Sequence, residues 1–87
     1  MQKQKAREEL IAASALLHST PGGYQRCMEH LHLNNESEVL QACIKAINDP
    51  KSLIIRAGKN YYVEDTEYRF TINASSKSII TAYCTVR

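Results

Sequence analysis

Apolar residues recur at helical spacing through the first half of the chain and at alternate positions through the second. Near the N-terminus Ala6, Leu10, Ala13, Ser14 and Leu17 fall on one narrow helical stripe, and Ala12, Ala13 and Ala15 add propensity. Ser19-Thr20-Pro21-Gly22-Gly23 breaks that stripe, two glycines after a proline being strong punctuation. A second, short helix is expected with Tyr24, Cys27, Met28 and Leu31 on one face. Asn34-Asn35 ends it, and Asn35 with Glu38 three residues on has the form of a capping box for a third helix. There Val39, Leu40, Cys43, Ile44 and Ile47 share one apolar face, with Glu36, Glu38, Gln41 and Lys45 outside, until Asn48-Asp49-Pro50 stops it.

Beyond Pro50 the period changes to two. Leu53-Ile54-Ile55 reads as a short strand, Gly58-Lys59-Asn60 as a turn, and Tyr61-Tyr62-Val63 as a second strand whose tyrosines point to opposite faces. After a turn at Asp65-Thr66, Tyr68, Phe70, Ile72 and Ala74 alternate with Arg69, Thr71 and Asn73, the pattern of a half-buried strand. Ser75 to Ser78 turns again, and Ile79 to Val86 makes the last strand. Pairing Ala74 with Ile80, Ile72 with Ala82, Phe70 with Cys84 and Tyr68 with Val86 gives one unbroken apolar face. A slip of one residue would bury Thr81 and Thr85 instead. The expected fold class is α+β, a single domain over residues 1–87. Three N-terminal helices pack on one face of a C-terminal antiparallel sheet of three to four strands. Leu40, Ile44 and Ile47 are expected to pack on Phe70, Ile72 and Ala82.

Composition narrows the class. The 87 residues are 44% hydrophobic and 23% charged, the ordinary globular range and far from a disordered chain. A chain this short hides roughly 60–65% of its surface, which leaves one modest core and little room for a deep cleft. Net charge is +2, too small to announce nucleic-acid binding, although the basic excess sits beyond residue 50, where the sheet is expected. No apolar run approaches a membrane span and no secretory signal opens the chain, so a cytoplasmic protein without a membrane partner is expected. Cys27, Cys43 and Cys84 form an odd set without a Cys-x-x-Cys pair, which reads as buried thiols in a reducing compartment.

The candidate chemistry lies on the polar side of the sheet. The register above places Arg69, Thr71, Asn73, Thr81, Tyr83, Thr85 and Arg87 together, opposite the apolar face. A tyrosine ring can stack on a base or a partner, arginine can grip phosphate or carboxylate as a fork, and Asn or Thr can hydrogen-bond. Lys59, Arg69, Asn73, Thr81, Tyr83 and Arg87 are therefore the expected partner-binding residues. Gly58-Lys59 is no phosphate-binding loop, because the long glycine-rich run before it is absent. Cys27, His30 and His32 cluster near the end of the second helix, but a fourth ligand at standard spacing is missing and Cys27 belongs to the apolar stripe, so no metal site and no cofactor are expected. Glu64, Asp65 and Glu67 read as solvated turn residues.

The run from Ser52 to Val63, carrying Gly58-Lys59-Asn60-Tyr61-Tyr62, then Thr71-Ile72-Asn73-Ala74 and Ile79-Ile80-Thr81-Ala82, resembles a family of short bacterial proteins of unknown function. In that family a Gly-Lys-Asn-aromatic-Tyr turn and an Ile-Ile-Thr-Ala-His strand recur, and the middle of the chain is similar in its helix spacing. A looser likeness runs to the barnase/colicin/RelE-like ribonucleases, in which helices precede an antiparallel sheet. That likeness implies RNA cleavage on the sheet face, with Arg69, Thr81 and Tyr83 at the matching positions. Tyr83 stands where the last strand of the family carries histidine, and no histidine follows His32, which removes the general acid or base expected near neutral pH. The expected function is accordingly a non-catalytic one. It is a small protein of the phage or mobile-element kind that binds and modulates a protein or nucleoprotein partner. A toxin-type ribonuclease acting on RNA is the alternative, and a structural homodimer through the sheet the second.

Overall fold

The computed structural model describes residues 2–85. Three helices come first, α1 (Gln2–Ala12), α2 (Pro21–Leu31) and α3 (Glu36–Asn48). Four strands follow, β1 (Leu53–Ala57), β2 (Asn60–Glu64), β3 (Tyr68–Asn73) and β4 (Ile79–Cys84), in one antiparallel sheet of order β1-β2-β3-β4. The fold class is thus α+β with the helices N-terminal. Among the described residues no helix is long and apolar enough to cross a membrane.

The helix boundaries follow from their caps. Ala6, Leu10 and Leu17 of the first stripe are buried, but α1 tightens at its end, where Ala13 N donates to both Glu9 and Leu10 carbonyls, and a single 3₁₀ turn (Ser14–Leu16) follows. Pro21, Gly22 and Gly23 form the first turn of α2 rather than a loop. Thr20 is its N-cap, accepting from Gly23 N at 3.0 Å, and proline at the first helical position loses no hydrogen bond. An added Cβ at Gly23 would lie 2.1 Å from Ser19 Oγ, so any other residue there must displace that hydroxyl from the Ile79 carbonyl. At α3 the expected cap forms, Asn35 Oδ1 accepting from Glu38 N at 2.9 Å, while Glu38 Oε1 accepts at 2.8 Å from Asn34 N, one residue before the cap.

Two expectations about packing are corrected. Helix α3 buries Val39, Cys43, Ala46 and Ile47, whereas Leu40 and Ile44 are only half-buried. The reason is placement: α2 lies against β4 and α1 against β1, while α3 sits beside both helices and reaches the sheet at β2. Val39, Cys43, Ala46 and Ile47 thus supply α3's share of the core that contains Phe70, Ile72 and Ala82, with Leu40 and Ile44 packed at its margin.

The β3–β4 register is the second correction. Tyr68 pairs with Cys84, Phe70 with Ala82 and Thr71 with Thr81, two residues from the expected alignment, and Ile72 then pairs with Ile79. A shift of two keeps the side chains from Thr81 to Cys84 on their faces. Ile80 is the extra residue of a bulge, pushed out to 40% exposure while Ile79 is buried in its place. The loop decides this: Asn73 Oδ1 accepts from Ser75 N and Ser76 N, and Lys77 takes a left-handed φ of 63°, which returns the chain sooner than a plain polar turn. The expected pairing of Val86 lies outside the described residues.

Candidate functional site

Side chains alternate across the sheet as the pairing requires. Ile54, Val63, Phe70 and Ala82 form one buried row, and Tyr61, Ile72 and Ile79 belong to the next. On the other side Leu53, Glu64, Arg69 and Tyr83 stand side by side across all four strands, and Ile55, Tyr62, Thr71 and Thr81 form the neighbouring row. Leu53, Ile55, Tyr62 and Tyr83 are all exposed large apolar residues. The outer side of the sheet is thus more apolar at β1 and β2 than the strand β3 pattern implies.

The centre of the exposed rows is electrostatically closed. Arg69 donates from Nε (3.2 Å) and Nη2 (3.0 Å) to Glu64 Oε1 on the adjacent strand, so its charge is already matched. Glu64, read from sequence as a solvated turn acid, is therefore part of the site. Beside this pair a shallow cavity of about 340 Å³ is lined by Glu64, Arg69, Tyr83, Cys84 and Thr85, and Leu53, Ile55 and Tyr62 flank the other side of the pair.

Tyr83 has a neighbour that sequence reasoning missed. The His30 ring stacks on it, centroids 5.0 Å apart and planes inclined by 16°. His30 Nδ1 lies 3.1 Å from the Ala82 carbonyl. A carbonyl only accepts, so Nδ1 carries the proton and Nε2 is the basic nitrogen of the neutral ring. A histidine thus stands at β4 after all, supplied by α2 rather than by the strand.

The six expected partner-binding residues are divided by the fold. Arg69 and Tyr83 face each other across β3 and β4, with Thr81 one row away and half-buried. Lys59 is exposed in the β1–β2 turn and Asn73 sits at the end of β3, opposite Asn60, about 13 Å along the strands from the Glu64 row. Asn73 is engaged in holding its own loop. Arg87 lies outside the described residues. Of the positions that the ribonuclease likeness marks, Arg69, Thr81 and Tyr83 occupy adjoining rows.

The thiols do not behave alike. Cys27 and Cys43 are buried, and burial pushes both thiols up, Cys43 further for the nearby Cys27. Cys84 is exposed, contrary to the expectation of three buried cysteines. Burial also raises the Tyr61 hydroxyl, which donates to Glu9 Oε1 at 2.5 Å, and the Tyr68 hydroxyl, near Glu67. Among the described residues no three His, Cys, Asp or Glu side chains converge as metal ligands; His30 is turned to β4 and His32 is exposed at the end of α2.

A small α+β scaffold that displays two tyrosines, two aliphatic side chains and one closed ion pair on its sheet is the class of protein these observations define. The chain belongs to the DUF3781 family, proteins of unknown function, which it matches over residues 11–83. No curated protein and no solved structure gives a significant match. The matched span holds everything from the end of α1 to Tyr83, so the exposed rows fall within it.

Proposed function

We propose that the three helices cover one face of the sheet and that the other face binds a protein partner without catalysis. The observation that carries this reading is the gathering of Leu53, Ile55, Tyr62 and Tyr83, all exposed, around the Arg69–Glu64 pair. Aromatic and arginine side chains dominate binding energy where a partner desolvates them. A protein suits this face better than nucleic acid, since a phosphate would have to displace Glu64 from Arg69. Tyr83→Ala and Arg69→Ala should each weaken the partner recovered from the native host by about 1–2 kcal/mol, measured by titration calorimetry. Neither should move stability by more than about 0.5 kcal/mol, both side chains being exposed. Two folded variants that bind as the parent does would remove the face from consideration.

One observation favours RNA cleavage as a second reading. His30 against Tyr83 supplies the titratable base that the last strand lacks, one row from Thr81. Purified protein would then cleave RNA and His30→Ala would not; a parent protein inert toward RNA ends this reading.

A further inference from the structure

The two edges of the sheet are treated differently by the rest of the chain. Along β4, Ile79 N donates to the His18 carbonyl at 2.7 Å, Ser19 Oγ donates to the Ile79 carbonyl at 2.8 Å, and His30 Nδ1 donates to the Ala82 carbonyl. His18 and Ser78 form a short parallel bridge beside them. That edge is occupied. Helix α1 packs against β1 as α2 does against β4, but no comparable hydrogen bond reaches that strand: among the described residues β2 is the only hydrogen-bond partner of its backbone. Its sequence, Leu53-Ile54-Ile55-Arg56-Ala57, carries one charge and no proline, and Leu53 and Ile55 are 50% and 46% exposed. Sheets normally protect an edge with lysines, prolines, bulges or a covering segment, and an edge without them is a template for another strand.

We propose that β1 pairs with β1 of a second copy of this chain, antiparallel across a two-fold axis, joining two four-stranded sheets into one of eight strands. Two-fold interfaces must be self-complementary, and the backbone of two identical antiparallel strands meets that condition by itself. With Ile55 on the axis, Ile55 faces its counterpart, Leu53 faces Ala57 and Arg56 faces Ile54. Large side chains then stand beside small ones at both ends, and no like charges lie opposite. The exposed apolar side chains of Leu53, Ile55 and Tyr62 become continuous across the axis. A five-residue strand keeps the contact at the small end of specific interfaces, roughly below 1,200 Å² in total, so the dimer forms with concentration rather than being obligate. This pairing uses the strand edge and does not depend on partner binding around Tyr83.

Sedimentation equilibrium of the intact protein from about 1 μM to 1 mM should show the mass rising from one chain to two. Hydrogen exchange over the same range should show amides of residues 53–57 gaining protection. Ile55→Lys and Leu53→Lys should each raise the dissociation constant at least about tenfold while keeping the parental thermal melt, because both side chains are exposed. Tyr83→Ala should leave the dimer as it is. A single-chain mass throughout overturns the proposal. So does a dimer indifferent to both lysine variants, or protection gained along β4 instead of β1.

Discussion

Arg7 ties the first helix to the junction between the other helices and the sheet. Its Nη1 donates to the carbonyls of Ile47 (3.0 Å) and Asp49 (2.7 Å) and to Ser52 Oγ (3.1 Å), and its Nη2 donates to the Ser52 carbonyl (2.6 Å). The last carbonyls of a helix have no donor within it, so a guanidinium from α1 completes the end of α3 and fixes the entry into β1. Arg7→Ala should cost about 2–3 kcal/mol in urea unfolding, since charge-assisted bonds are lost and Ser52 is buried. Arg7→Lys should recover less than half, because an ammonium lacks the planar fork. A loss near zero for the alanine variant would show the clamp to be replaceable by water. Contacts of this kind leave no trace in the sequence. Arg7 meets Ile47 across 40 positions and His30 meets Ala82 across 52, whereas the Asn35–Glu38 cap spans three and is legible.

For whole elements, periodicity revealed which segments are helix and strand but not which way α3 turns. Residues 39 to 47 supply enough apolar positions for two overlapping stripes, and only the packing of α3 beside α1 and α2 selects Val39, Cys43, Ala46 and Ile47. Ile47→Ala should therefore cost about 2–4 kcal/mol and the half-buried Ile44→Ala only about 1 kcal/mol, read from urea midpoints. Equal costs would mean that the helix is rotated toward Ile44. The faces of β3 and β4 were readable for a related reason: alternation specifies the face of each residue but is blind to a slip of two. Alternation puts Ile80 inward opposite Ala74, and the structure turns it out because a bulge reverses the alternation at one point, beside the Asn73–Lys77 loop. Leu53-Ile54-Ile55 has no polar position to mark its outer face, so the exposure of Leu53 and Ile55 and the edge position of β1 emerge only in the fold.

Taken as a whole, the molecule holds several protons more firmly than its unfolded chain does. Cys27 and Cys43 are raised above their ordinary 9.0 by burial, and Tyr61 and Tyr68 above 10.0, burial leading in each case. As pH rises through these ordinary values the unfolded chain loses its protons first, so unfolding becomes more favourable. Stability contributed by these groups is complete below about pH 8 and declines above about pH 9. The urea midpoint should fall across that alkaline window, and Tyr61→Phe should make the decline above about pH 10 shallower. A midpoint that stays level to about pH 11 would show these groups ionising as readily in the fold as in the open chain.

Helix α2 lies against β4, which among the described residues is the strand furthest from it along the chain. Synthesis proceeds at roughly 5–20 residues per second, so α2 leaves the ribosome seconds before the strand that covers it. Through that interval α2 has α3 to pack on but not β4, so the burial of Tyr24, Cys27 and Leu31 is incomplete. Chains truncated before Ile79 would keep that incomplete cover, and quality-control proteases should degrade them faster than the full-length protein.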